Sequence, residues 1–169
     1  MPTVSMPRPI IAFWRRLTDG NQHPVRYLGW ALLADLPVTV AIGFLLNGLT
    51  GTTWPEFPAD SLPRIVVAMC VVAPLLETAG LAVIIWILQR VGLRPAFVPL
   101  VAALVCATLH SLAKPLWGLE IFWAFLIFSL CYVTWVRKSV WSALGMSALL
   151  HALHNLLPLL FLLAMRQMP

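Results

Sequence analysis

Residues 65–88 read IVVAMCVVAPLLETAGLAVIIWIL, and this stretch decides the fold class. Glu77 is its one charged residue. A helix needs roughly 20 mostly apolar residues to cross the ~30 Å hydrocarbon core of a bilayer, so the stretch predicts a membrane-spanning helix. The whole chain has the same character, because 61% of its 169 residues are hydrophobic and 10% are charged. A soluble domain has roughly 45–50% apolar and 25% charged residues. The predicted fold class is therefore all-α, a polytopic transmembrane helical bundle.

Four further apolar stretches bring the predicted number of spans to about five. They cover residues 27–49, 95–116, 119–136 and 141–165. Residues 27–165 are thus expected to form one transmembrane domain, with no room for a separate soluble domain. Residues 1–26 form a basic cytoplasmic tail with a short interfacial segment and no pattern of a cleavable signal peptide. The longest predicted loop is 51–64, which is rich in proline.

The arginines and lysines predict the orientation of these spans. If five helices alternate, eight basic residues lie on the side of the N-terminal tail and three on the other side. The positive-inside rule then places the N-terminus in the cytoplasm and the C-terminus outside. We expect a multi-pass protein of a cell membrane, and of a bacterial inner membrane in particular. Because the basic residues are spread thinly over the predicted loops, no nucleic-acid partner is expected.

Ionisable residues inside the predicted spans need a reason, because a charge at the bilayer centre costs at least ~2.5–3.5 kcal/mol. They are Asp35, Glu77, His110, His151 and His154. At ~1.5 Å per residue, Glu77 and His151 both lie near the midplane, and His110 lies about one turn higher. Asn155 follows His151 by four residues, so the two share one helical face. We expect Glu77, His110, His151 and Asn155 to meet in one pocket.

The expected chemistry of this pocket is the activation of water. A carboxylate and two imidazoles can hold and deprotonate a water that attacks a carbonyl group, and an imidazole and an amide can stabilise the resulting oxyanion. Glu77, His110 and His151 could equally hold a zinc ion with one open position, so the residues leave open whether the cofactor is zinc or none. His154 is most simply a structural histidine. Asp35 either lies at the edge of the pocket or pairs with a neighbouring helix. The tryptophans and phenylalanines are expected to face lipid or the membrane interface.

Three short motifs on separate helices carry a family resemblance. They read Ala73-Pro74-Leu75-Leu76-Glu77-Thr78, Ala107-Thr108-Leu109-His110 and His151-Ala152-Leu153-His154-Asn155, with one further span between the second and third. In these motifs the chain resembles the CPBP family of intramembrane proteases, also called the CAAX-protease and bacteriocin-processing (Abi) family. The resemblance implies an endopeptidase in which Glu77 and His110 activate water while His151 and Asn155 stabilise the oxyanion. The implied substrate is a peptide or protein at or in the membrane.

The chain departs from the family pattern at three positions. Thr78 and Ala82 stand where the family usually has a second glutamate and an arginine, and Cys106 stands where a phenylalanine is common. Thr78 can still form a hydrogen bond but carries no charge. Thr78 and Ala82 favour the alternative of a non-catalytic relative that acts as a scaffold or immunity protein. A minor alternative is a haem-binding or proton-handling membrane protein, with His110 and either His151 or His154 as axial ligands. The substrate, and any homo- or hetero-oligomer, stay open.

Overall fold

The computed structural model describes residues 8–51 and 62–166, with side chains placed for residues 11–51 and 62–160. Throughout this part of the chain the regular structure is helical, which confirms the all-α class. The helices are α1 (Arg8–Thr18), α2 (Pro24–Thr50), α3 (Leu62–Val67), α4 (Ala73–Arg90), α5 (Val98–Ala113), α6 (Trp117–Trp135) and α7 (Val140–Arg166). A π-helical turn, Ala68–Val72, joins α3 to α4. Most of the predicted loop 51–64 lies outside the described residues, as do residues 1–7 of the predicted tail.

Among the described residues, four helical stretches are long and apolar enough to cross a bilayer, one fewer than the five expected. They are Pro24–Thr50, Leu62–Arg90, Trp117–Trp135 and Val140–Leu160. The expected third span, 95–116, contains the shorter helix α5, which has 16 residues and a length of about 24 Å. Two prolines explain this difference. Pro95 precedes a turn before α5 begins, and Lys114 is extended at φ −146°, ψ 118° because Pro115 follows it.

The outer surface of the bundle is apolar. Leu49 and Leu76 are 74% and 68% exposed, and many other large apolar side chains on the long helices are also exposed. A soluble protein rarely exposes apolar patches of this extent. In a bilayer the same side chains contact lipid tails, which are themselves apolar. The surface and the four long helices are therefore those of a polytopic membrane protein.

Helix α6 lies at the centre of the bundle and packs against α1, α2, α4, α5 and α7. Phe125, Phe128 and Trp135 of this helix are buried. The expectation that the phenylalanines and tryptophans face lipid or the interface is wrong for these residues. The reason is that α6 packs against five other helices, so these side chains lie in the protein core.

The hairpin between α5 and α6 depends on a glycine. The backbone N–H of Gly118 donates a hydrogen bond to the Ser111 hydroxyl, 3.1 Å away. A Cβ atom at position 118 would lie 2.1 Å from the carbonyl oxygen of Ala107, so no larger residue fits without moving a helix. Leu116, which precedes α6, takes a left-handed conformation with φ +70°. This tight turn holds the end of α5, which carries His110, against the start of α6.

The amphipathic helix α1 is attached to α2 and α6 at its C-terminal end. The carbonyl of Leu17 accepts hydrogen bonds from the Tyr27 hydroxyl, at 3.0 Å, and from the Thr134 hydroxyl, at 3.1 Å. The Arg16 guanidinium lies over the Trp30 ring, 4.4 Å from its centroid. The last four carbonyls of a helix have no partner within the helix, and here side chains of α2 and α6 supply donors for one of them.

Candidate functional site

Three of the predicted site residues meet inside the bundle. The Nε2 atoms of His110 and His151 lie 3.6 Å and 3.8 Å from the same Glu77 oxygen, Oε2. Glu77 comes from α4, His110 from α5 and His151 from α7. The three helices pack against one another in the pairs α4–α5 and α4–α7. The structure therefore brings a carboxylate and two imidazoles to one point between three helices.

The orientation of the His110 ring is fixed by its own helix. Its Nδ1 atom lies 2.8 Å from the carbonyl oxygen of Cys106, one turn earlier in α5. A carbonyl oxygen only accepts hydrogen bonds, so Nδ1 must carry the proton. In the neutral imidazole Nε2 is then a bare acceptor, and it faces Glu77. Two acceptors cannot bond directly, so a proton or a water molecule must link them.

The His151 ring is held by aromatic side chains of α6. It stacks on Phe128 with ring centroids 4.5 Å apart and an interplanar angle of 26°. Phe125 meets the same imidazole edge-on at 5.8 Å, and contacts the His110 ring at 5.2 Å. Trp117 meets His110 edge-on at 4.9 Å. These rings form an apolar wall behind the two imidazoles and limit their rotation.

Access to the site differs between its members. The Glu77 side chain is 33% exposed, whereas that of His151 is 6% exposed. Two buried polar atoms at this level, Thr78 Oγ1 and His151 Nδ1, have no hydrogen-bond partner among the described residues. Buried polar groups are nearly always paired with protein or with ordered water. The carboxylate can therefore be reached from outside the bundle, while Thr78 Oγ1 and His151 Nδ1 keep unused hydrogen-bonding capacity.

The Asn155 side chain forms a hydrogen bond with a residue other than Glu77. Its Nδ2 donates a 2.7 Å hydrogen bond to the carbonyl oxygen of Met69, in the π-helical turn before α4. The face shared by His151 and Asn155 does pack against the α3–α4 stretch, as the four-residue spacing predicts. However, the two side chains meet this stretch at different levels, His151 near Glu77 and Asn155 at Met69. The oxyanion role that the resemblance implies for Asn155 stays a prediction.

Asp35 and His154 form a second polar cluster. His154 Nδ1 lies 2.6 Å from Asp35 Oδ2, and the Thr39 hydroxyl donates to Asp35 Oδ1 at 2.9 Å. Asp35 is completely buried. The sequence leaves open whether Asp35 lies at the edge of the pocket or pairs with a neighbouring helix. The structure shows the pairing. The pair links α2 to α7, and His154 also meets Phe128 edge-on at 5.5 Å.

Sequence reasoning missed the aromatic residues around the imidazoles. Phe125 and Phe128 are three residues apart in α6, so they lie on the same helical face. This spacing is visible in the sequence, but it is also common in lipid-facing segments. Only the central position of α6 shows that this face meets histidines.

The sequence leaves open a zinc ion held by Glu77, His110 and His151. In the part of the chain that the structure describes, no three His, Cys, Asp or Glu side chains form a group that could hold a metal ion. His154 Nδ1 is bonded to Asp35 and the His151 ring is stacked on Phe128; the haem alternative stays a prediction.

Comparisons of the chain with protein-family models, curated proteins and solved structures find no match. The fold and the apolar surface thus define the class, a polytopic helical membrane protein, and the function has to be argued from the site.

Proposed function

We propose that this protein is an intramembrane endopeptidase of the CPBP type, with Glu77 as the general base. The observation that supports the proposal is the convergence of His110 and His151 on one Glu77 oxygen, at 3.6 Å and 3.8 Å, from three separate helices. Both distances are longer than a direct hydrogen bond. A water molecule in contact with all three atoms would be held in place for attack.

In the proposed reaction Glu77 removes a proton from this water, and the hydroxide attacks the carbonyl carbon of the peptide bond. His110 keeps its Nδ1 proton on the Cys106 carbonyl and offers Nε2 to the water. His151 donates from Nε2 to the oxyanion that develops on the attacked carbonyl. Collapse of the tetrahedral intermediate breaks the C–N bond, and the proton taken up by Glu77 passes to the leaving amine. The products are a carboxylic acid and an amine, so no other reactant is needed.

The position of the site within apolar helices suits this chemistry. Phe125 and Phe128 exclude water from one side of the imidazoles, and donors act more strongly on a developing charge in a region of low dielectric constant. The partial exposure of Glu77 leaves one side open to a substrate. The substrate class that fits is a peptide or protein at or in the membrane, and the lipid bilayer is the second partner.

The proposal includes the orientation of the chain in the membrane. If α5 crosses the membrane despite its 16 residues, the positive-inside rule places the N-terminus in the cytoplasm and the C-terminus outside. The proposed location is then a bacterial inner membrane. A second copy of the chain or another protein could complete the substrate site, since Glu77 opens towards the outside of the bundle.

A second candidate function is that of a non-catalytic scaffold or immunity protein. Two observations favour it. Thr78 replaces the second glutamate of the resembled family and is buried without a hydrogen-bond partner among the described residues. Asn155 is engaged with the Met69 carbonyl rather than turned to Glu77. A relative that has lost its reaction would tolerate both features.

The experiment compares new protein N-termini in bacterial cells that express the wild type, Glu77→Gln or Asp19→Asn. Asp19 lies on the exposed connection between α1 and α2, so Asp19→Asn is a matched exchange of carboxylate for amide away from the site. We expect mass spectrometry to find membrane-protein N-termini that appear with the wild type and Asp19→Asn and vanish with Glu77→Gln. Equal cleavage by Glu77→Gln would reject Glu77 as the base. No new N-termini with any variant, at matched expression, would favour the non-catalytic candidate.

A further inference from the structure

The π-helical turn before α4 leaves one backbone carbonyl without a helical donor. In this turn the backbone N–H of Ala73 bonds to the carbonyl of Ala68, five residues earlier. The next bond in the same register would join the N–H of residue 74 to the carbonyl of Met69. Residue 74 is proline, which has no N–H. The Met69 carbonyl is therefore left free by the helix that contains it.

Asn155 supplies the missing donor. Its Nδ2 lies 2.7 Å from the Met69 oxygen. A free carbonyl is costly at membrane depth, because there is no water to pair with it. The amide of α7 thus takes the place of the backbone N–H that Pro74 lacks. Asn155 of α7 therefore compensates for the donor that the motif residue Pro74 of α4 lacks.

The hydrogen bond from Asn155 to the Met69 carbonyl affects the direction in which the Glu77 side chain points. A π-helical turn inserts one extra residue into a helix, and each residue of an α-helix turns by about 100°. Loss of the turn would rotate everything after it, including Glu77, relative to α3. His151 lies near Glu77 of α4 and Asn155 bonds to Met69 of the π-helical turn, so α7 contacts this helical stretch at two levels.

We propose that Asn155 is a positioning residue, which stabilises the π-helical turn at Met69 and so keeps Glu77 directed at His110 and His151. The importance of this geometry for catalysis rests on the proposed protease function, whereas the structural part of the inference does not. It differs from the oxyanion role implied by the family resemblance, in which Asn155 touches the substrate. An oxyanion role alone gives no reason for Asn155 to be coupled to Pro74 in the substrate-free protein.

The test is a double-mutant cycle of Asn155→Ala and Pro74→Ala, measured by reversible SDS-induced unfolding of the purified protein from detergent micelles. In the Pro74 background, Asn155→Ala leaves the Met69 carbonyl unpaired, and we expect the unfolding equilibrium constant to rise about tenfold. In the Pro74→Ala background residue 74 regains an N–H for that carbonyl. There the same substitution should change the constant by less than about twofold, a difference that identifies coupling between the two positions.

Asn47→Ala serves as the matched control, because Asn47 lies on α2 and should have equal effects in both backgrounds. Equal effects of Asn155→Ala in the two backgrounds, or no effect in either, would overturn the inference. If Asn155→Ala fails to fold with Pro74 present, folding of the double mutant would support the inference, and failure of both would reject it.

A second readout concerns the orientation of Glu77. The imidazole ¹⁵N signals of His110 and His151 should shift in Asn155→Ala and stay unchanged in Asn47→Ala; unchanged signals in both would contradict a positioning role. Neither readout needs a substrate. Absence of cleavage would therefore reject the protease proposal without affecting this cycle, while additive unfolding would reject the positioning role without affecting the protease.

Discussion

The rings of Phe128 and His151 lie nearly parallel, with centroids 4.5 Å apart and planes inclined by 26°. Phe128 also meets His154 edge-on at 5.5 Å. One phenylalanine of the central helix thus contacts both imidazoles of α7, one from the Glu77 site and one from the Asp35 pair. Its backbone carbonyl in turn accepts a hydrogen bond from the Ser147 hydroxyl of α7, at 3.2 Å. Phe128 therefore connects the two polar clusters of the bundle.

The first prediction concerns the loss of this aromatic ring. Phe128→Leu keeps an apolar side chain but removes the stacking on His151, which we expect to lower stability by about 1 kcal/mol beyond the change in buried area. The imidazole ¹⁵N signals of His151 should broaden or shift, because its ring gains freedom. SDS-induced unfolding and NMR spectroscopy in detergent micelles measure the two effects. Phe44→Leu is the control, since Phe44 lies on the exposed surface of α2. Identical results for both variants would show that the stacking does not constrain His151.

The second prediction concerns the close contact of α5 and α6. Gly118→Ala places a Cβ atom 2.1 Å from the Ala107 carbonyl oxygen and 2.3 Å from the Ser111 hydroxyl. The helices must separate, and we expect a loss of stability of about 3 kcal/mol, at the upper end of the range for overpacked cores. Gly145→Ala is the matched control in α7, where a Cβ meets nothing within 4 Å. That variant should gain about 0.5–1 kcal/mol from its higher helix propensity. Comparable melting temperatures of the two variants would contradict the contact.

The sequence predicted those parts of the site that depend on depth and helical face. Glu77 and His151 each lie near the middle of an apolar stretch, and such groups are driven together because neither finds a partner in lipid. The same reasoning anticipated that Asp35 could pair with a neighbouring helix. Periodicity and depth were sufficient because both are fixed by the geometry of a single helix.

The features that the sequence did not predict depend on how helices pack. The bond from Asn155 to the Met69 carbonyl follows from a π-helical turn, and a proline alone does not distinguish such a turn from a simple kink. The burial of Phe128 follows from the central place of α6, which hydropathy cannot show. The short length of α5 follows from the turns on either side of it, whereas its composition is as apolar as that of a span.

The third prediction concerns the attachment of α1. Tyr27→Phe and Thr134→Val each remove one donor to the Leu17 carbonyl, and each should lower stability by about 1 kcal/mol. The double variant leaves that buried carbonyl without these donors, so α1 should detach more often. We expect faster cleavage by trypsin after Arg15 and Arg16 in the double variant.

Tyr132→Phe, which removes a hydroxyl elsewhere on α6, is the control for this experiment and should be digested at the rate of the wild type. An unchanged rate in the double variant would contradict the role of these bonds.

The fourth prediction concerns the buried pair of Asp35 and His154. Removal of one partner leaves the other without compensation in the interior, and such changes typically cost 3–5 kcal/mol in soluble proteins. The unfolded helices in detergent also find partners for polar groups. We therefore expect Asp35→Leu and His154→Leu each to lower stability by about 3 kcal/mol, at the lower end of that range.

The loss of stability in the double variant should be smaller than the sum of the losses in the two single variants. Asp35→Leu/His154→Leu replaces both ionisable groups by apolar ones, so neither is left buried without its partner. The Thr39 hydroxyl loses one acceptor, and the stability should lie within about 1 kcal/mol of the wild type. Thr39→Val removes only the hydroxyl that donates to Asp35 Oδ1 and should cost about 1 kcal/mol, which calibrates the loss of a single bond to the same carboxylate. All four variants are compared by SDS-induced unfolding. If the two single effects simply add in the double variant, the 2.6 Å contact contributes no coupling, and the two residues stabilise the bundle independently.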